Sequence, residues 1–178
     1  MNYSDFADNI NEEMNIIESR VQTKWVGSRH YGLKISSRTA LGDFGEERLC
    51  KALCDRGVKA SIVNKGKGDF DILLENGIRL EVKTATEDTS GNYQFNGIKI
   101  DNTNYDYVLC LGVAPNDLFI NMWSKEHCVE NLSVPMTRGG SDGYKLSAGV
   151  RRGSRVRNWE VHPLTNDNFN TFVKEKLV

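Results

Sequence analysis

Within KGDFDILLENGIRLEVKTA, residues 67–85, two carboxylates and an ammonium stand where a hairpin would bring them together. Segments 69–75 and 78–85 both alternate in hydropathy, and Asn76-Gly77 sits between them, the signal for a β-hairpin. A two-residue turn would place Asp71 opposite Val82 and Ile72 opposite Glu81, mixing polar and apolar residues on both faces. A three-residue loop, Glu75-Asn76-Gly77, with Gly77 left-handed, sorts the faces. Phe70 then faces Val82, Ile72 faces Leu80, and Leu74 faces Ile78. The other face carries Asp69 across from Lys83 and Asp71 across from Glu81, and this register is adopted. Carboxylates about 5 Å apart at Cβ repel unless something cationic lies between them. Two hard oxygen ligands beside the Lys83 ammonium suit a partly hydrated Mg²⁺ and an activated water. The competing reading is a solvated hairpin face. A bare Glu-x-Lys triplet is common, but the full constellation is much rarer.

Gly68-Asp69-Phe70-Asp71-Ile72 followed by Leu80-Glu81-Val82-Lys83-Thr84 resembles the core of the PD-(D/E)xK nuclease superfamily, the restriction-endonuclease-like fold. The resemblance runs from Leu41 to Trp123. It implies Mg²⁺-dependent phosphodiester hydrolysis, with Mn²⁺ able to substitute. It further implies Asp71 and Glu81 as metal ligands, the Val82 backbone carbonyl as another, and Lys83 positioning or activating water. No proline precedes the aspartate, and Asp69 is the runner-up for the ligand role. Asp71 is preferred because it stands opposite Glu81.

These groups need a scaffold to position them. Residues 39–56 read as a helix ending at Gly57, a natural residue just past a helix C-terminus. Glu46, Leu49 and Leu53 share a stripe of it, with Cys50 beside them. A carboxylate on an apolar stripe is costly unless paired or metal-bound. Glu46 is therefore a further catalytic and metal-ligand candidate, matching the helical glutamate of the family. Glu47 precedes Lys51 by four residues, the favourable order for an exposed ion pair. Residues 58–64 alternate as a strand, and Lys65-Gly66-Lys67-Gly68 forms a glycine-rich loop that suits either a phosphate or a plain turn. Residues 87–104 read as a mobile loop rich in turn residues. Within it, Tyr93-Gln94-Phe95-Asn96 offers groups for stacking on or hydrogen-bonding to bases, unless Tyr93 and Phe95 are core. Tyr107 to Val113 is a continuous apolar run, the mark of a central strand buried on both faces. Pro115-Asn116-Asp117 makes a turn before a further strand, Leu118 to Trp123. The expected architecture is α/β, a mixed central sheet flanked by helices.

The chain of 178 residues suits one domain. It divides into an N-terminal helix and basic stretch (1–38), a catalytic core (39–123) and an arginine-rich loop (138–158). Phe6, Ile10, Met14, Ile17 and Val21 recur at helical spacing over residues 2–26, predicting an amphipathic packing or dimerisation helix. Arg29, His30, Lys34 and Arg38 follow as candidate phosphate contacts or solvated charges. Arg138, Lys145, Arg151, Arg152, Arg155 and Arg157 crowd a glycine- and serine-rich segment and are the candidate DNA-binding residues. Residues 159–178 are expected to return as a strand and a helix, anchored by Trp159, Val161, Phe169, Phe172 and Leu177.

A formal net charge of −1 argues against a surface that binds polyanions everywhere, though it allows a local basic cleft. Cys50, Cys54, Cys110 and Cys128 lack zinc-finger spacing. No apolar run approaches the roughly 20 residues that cross a membrane. The cytoplasm is the expected compartment, with no membrane partner and no small-molecule cofactor. The resemblance implies a metal-dependent endodeoxyribonuclease acting on double-stranded DNA, similar to type II restriction endonucleases and working as a homodimer. The alternatives are a structure-specific repair or recombination nuclease, a non-catalytic DNA-binding module that kept the fold, and an unrelated α/β domain. The non-catalytic reading predicts loss of a carboxylate or the lysine, and all are present.

Overall fold

The computed structural model describes residues 11–13, 16, 19, 24–63, 70–98, 104–126, 128, 134–135, 144–149, 162–163 and 166–178, of which 134–135, 144–149, 162–163, 166–168 and 172 are described by backbone alone. The elements in chain order are α1 (Tyr31–Lys34), α2 (Arg38–Cys54), β1 (Ala60–Ile62), β2 (Ile72–Leu74), β3 (Arg79–Thr86), β4 (Asn92–Ile98), β5 (Tyr107–Val113), β6 (Leu118–Ser124), β7 (Val134–Pro135), β8 (Tyr144–Gly149), β9 (His162–Pro163) and α3 (Asn166–Lys176).

The β2–β3 hairpin forms where hydropathy alternation puts it. Gly77 has φ of 88°, and its N–H donates to the Leu74 carbonyl at 2.9 Å. A residue with a Cβ would be strained there, which is why the turn ends on glycine. Ile72 pairs with Leu80 and Leu73 with Arg79, the register that sorts the faces. β3 then pairs in parallel with β5, and β5 antiparallel with β6. The full order is β1-β2-β3-β5-β6-β9, a mixed six-stranded sheet.

Each face of this sheet buries a different layer. Leu49 and Leu53 of α2, with Phe169 and Val173 of α3 and Leu177 just past its end, pack on Ile72, Leu74, Leu80, Val82, Leu109 and Leu111. Ser37 caps α2 by accepting the Ala40 N–H at 3.1 Å, and Gly57, at φ of 80°, follows its end. The opposite face carries Ala85, Val108, Cys110 and Trp123, covered by Tyr93, Phe95 and Ile98 of β4. Expectation is met on the α/β class and the mixed sheet. Among the described residues, however, the second face is covered by another sheet, β4-β8-β7, and not by helices.

Three expectations change. The predicted mobile loop over 87–104 contains β4, whose alternate residues Tyr93 and Phe95 are core. Lys145 lies on β8, which pairs with β4 through Gln94↔Ser147 and Phe95↔Leu146, so this part of the arginine-rich segment is strand. The Lys51 ammonium bonds both oxygens of Asp55, at 2.8 and 2.9 Å, one turn on from it and on the side away from Glu47. Positions 11–13, 16, 19, 24 and 25 are helical. Phe6, Ile10, Met14, Ile17 and Val21 lie outside the described residues, as do Lys65, Lys67, Asp69, Arg138, Arg151, Arg152, Arg155 and Arg157. No helix among the described residues is long and apolar enough to cross a membrane.

Candidate functional site

Asp71 stands where the β2–β3 ladder breaks. Its N–H donates to the Leu80 carbonyl at 2.9 Å, although the residue paired with Leu80 is Ile72. Two residues thus oppose one, the arrangement of a β-bulge, which re-aims a side chain and ends regular pairing. One consequence corrects the expected register beyond this point: Phe70 packs with the layer containing Cys110 and Trp123, not on the face of Val82. The other consequence is chemical. With no backbone partner continuing alongside, the Val82 N–H donates to Asp71 Oδ2 at 2.7 Å. The Asp71 carboxylate is therefore fixed at the backbone midway between Glu81 and Lys83. A residue's N–H and C=O point to the same edge of a strand, so the Val82 carbonyl faces this side as well.

Glu81 and Lys83 share the opposite sheet face from Leu80 and Val82, and the Lys83 ammonium donates to Glu81 Oε1. Their side chains are only 13% and 21% exposed, so this is not a freely solvated hairpin face. Parallel pairing sets Glu81 beside Val108 and Lys83 beside Cys110. Burial holds the Cys110 thiol well above its ordinary value, with Cys128 adding to the effect. Asn121, buried on β6 next to Cys110, is a polar neighbour on this row that the sequence pattern did not single out.

Glu46 is half-buried on α2, directly after Gly45. A Cβ on Gly45 would fall 1.8 Å from Thr84 Oγ1, so glycine is what lets α2 approach β3 this closely. Thr84 Oγ1 itself is buried without a hydrogen-bond partner among the described residues. No three His, Cys, Asp or Glu side chains among the described residues converge as a metal group. Glu46, Asp71 and Glu81 accordingly do not close into a three-carboxylate cage. The candidate donors are the Asp71 carboxylate at the Val82 N–H, the Glu81 carboxylate beside Lys83 and the Val82 carbonyl. All are hard oxygens, the set that suits Mg²⁺ with water completing its coordination.

The basic stretch before α2 divides. His30 Nδ1 donates to the Ala114 carbonyl at 2.8 Å, and Lys34 donates to Thr86 Oγ1 at 3.3 Å and the Glu87 carbonyl at 3.0 Å. Burial lowers the Lys34 pKa. These two residues fasten α1 to the sheet and are not laid out as phosphate contacts. Arg38 instead lines a cleft with Lys83, Thr84, Thr86, Asp88, Asn92, Gln94 and Asn96. The signal for that lining was the period-two alternation of polar and aromatic residues across 92–96, obscured by its asparagines and glycine.

The molecule thus belongs to a structural class: a mixed α/β sheet, helices on one face, and an acidic hairpin with an adjacent lysine. No family model and no curated protein matches the chain. Among solved structures it is similar to a bacterial homing endonuclease, I-Ssp6803I, with a TM-score of 0.52 and 11% identity, over 80% of this chain and 97% of that one. At that identity the likeness speaks for the fold alone: this chain shares the mixed α/β fold of that protein.

Proposed function

We propose that this protein is a metal-dependent endonuclease that hydrolyses phosphodiester bonds of double-stranded DNA, with a PD-(D/E)xK site. The observation that carries the reading is the bulge at Asp71, which fixes one carboxylate at the Val82 N–H between Glu81 and Lys83. Asp71, Glu81 and the Val82 carbonyl would hold Mg²⁺ or Mn²⁺. Such a cation, when bound, supplies charge neutralisation at the phosphate and a more acidic water.

The chain's own groups do the rest. Asp71 is oriented by the backbone, so it needs little reorganisation as charge develops. Lys83, held by Glu81 and shielded from bulk water, orients the attacking water and offsets charge building on the phosphoryl oxygens. The water oxygen bonds to phosphorus as the bond to O3′ breaks, and O3′ is protonated. Glu46 remains a proposed positioning residue from the helix side. The arginines of 138–157, with Lys145, are the proposed backbone contacts. Support from outside the site is the shared fold with an endonuclease.

Incubation with supercoiled plasmid tests this. Cleavage is expected with Mg²⁺, none with EDTA, and none from Asp71→Ala or Lys83→Ala. Salt-sensitive binding without cutting would favour a non-catalytic DNA-binding module instead.

A further inference from the structure

We propose that the exposed amides of β4, Gln94 and Asn96, read base edges in the major groove of the duplex and so set where this protein acts. The inference rests on the DNA reading above and deepens it by assigning sequence choice to one strand.

Alternation supplies the first support. Tyr93 and Phe95 are buried against the central sheet while Gln94 and Asn96 are exposed. The apolar half of the strand anchors it, leaving the amides free of any packing duty. A primary amide presents a donor and an acceptor side by side, the pattern that matches N6 and N7 of adenine in the major groove.

Placement supplies the second. Gln94 and Asn96 line one cleft, of about 460 Å³, with Lys83 and Arg38. Cations at the cleft attract the backbone while the amides meet the bases, a division of labour typical of DNA interfaces. The acid in that lining, Asp88, is engaged with its own turn: its Oδ1 accepts the Ser90 and Asn92 N–H groups, each at 2.8 Å.

Spacing supplies the third. Residues two apart on a strand are separated by roughly 6.8 Å, which is two steps of about 3.4 Å along a duplex strand. Gln94 and Asn96 therefore address base pairs two steps apart. β4 pairs antiparallel with β8 and is the edge strand of the β4-β8-β7 sheet among the described residues, so its own outer edge is open to a duplex. The register shifts between Phe95 and Ile98, with Gly97 at φ of 73°, so the strand bends at Asn96 itself, the last reading position.

The test is enrichment of bound sequences from a random duplex pool, using the full chain in EDTA so that nothing is cut. The wild type is expected to enrich adenine-bearing pairs two steps apart. Gln94→Ala should erase the preference at one and Asn96→Ala at the other, each losing roughly 5- to 150-fold of discrimination. Gln94→Glu, which keeps the side-chain shape, should move its preference toward cytosine. Variants that enrich the wild-type motif, or a wild type that enriches none, would overturn the proposal. Plasmid cleavage with Mg²⁺ is scored separately. A motif without cleavage leaves this inference standing and sinks the nuclease reading, whereas cleavage without a motif does the reverse. Failure to bind any duplex sinks both.

Discussion

Asp71 has two duties that substitutions can separate: it accepts the Val82 N–H, and it carries a charge. Asp71→Asn keeps an acceptor and removes the charge, so cleavage should fall by about 10²–10³-fold, the size of one preorganised electrostatic contact. Its denaturation midpoint should barely move. Asp71→Ala also strands the Val82 N–H, and urea unfolding should show a further loss of about 1–3 kcal/mol. Equal stabilities would mean that the bond contributes nothing. A second carboxylate governs pH dependence. The Arg79 guanidinium, donating from Nε at 3.1 Å and Nη2 at 2.9 Å, holds Asp106 below its ordinary value, assisted by the Arg79 N–H. A depressed folded pKa gives stability that is present above the ordinary carboxylate value and lost as pH falls through the lowered one. The gap in melting temperature between wild type and Asp106→Asn should thus be widest near neutrality and close below about pH 4. A gap that is constant with pH would contradict this.

At the element scale, the approach of α2 to β3 is set by Gly45 against Thr84. Gly45→Ala would drive a methyl into Thr84 Oγ1, an overpacking cost of about 1–3 kcal/mol. At about 2–4 °C per kcal/mol for a chain of this size, the melting temperature should drop measurably. Adding Thr84→Ala should recover part of the loss, since neighbours that share a contact are not additive. An undiminished drop would show that the approach is limited elsewhere. Much at this scale was legible in the sequence. Gly77 and the polar–apolar alternation fix the hairpin register, Leu49 and Leu53 mark the buried side of α2, and the apolar run from Tyr107 identifies β5. What was not legible is tertiary. The bulge at Asp71, where two residues oppose Leu80, is announced by no local pattern. β4 is hidden because Asn92, Asn96 and Gly97 are turn formers, and its partner β8 lies some fifty residues away in the chain.

For the whole molecule, the net charge of −1 leaves the proposed DNA contacts to local clusters. If the arginine-rich segment grips backbone, Arg152→Ala with Arg155→Ala should lower the slope of log affinity against log salt by roughly 1.8, about 0.9 per lost phosphate contact. An unchanged slope would remove these residues from the interface. The site, by contrast, was legible in composition before it was legible in space. Asp71 accepts the Val82 N–H and Lys83 donates to Glu81, contacts their spacing suggests, whereas no three carboxylates including Glu46 converge among the described residues. The most direct test of the central claim compares single-turnover plasmid cleavage by Asp71→Asn, Glu81→Gln, Lys83→Gln and the triple variant. Groups that act as one unit lose about as much singly as together. Each single variant should therefore fall to within about tenfold of the triple; losses that multiply from one variant to the next, or any single variant that cuts at the wild-type rate, would contradict a shared site.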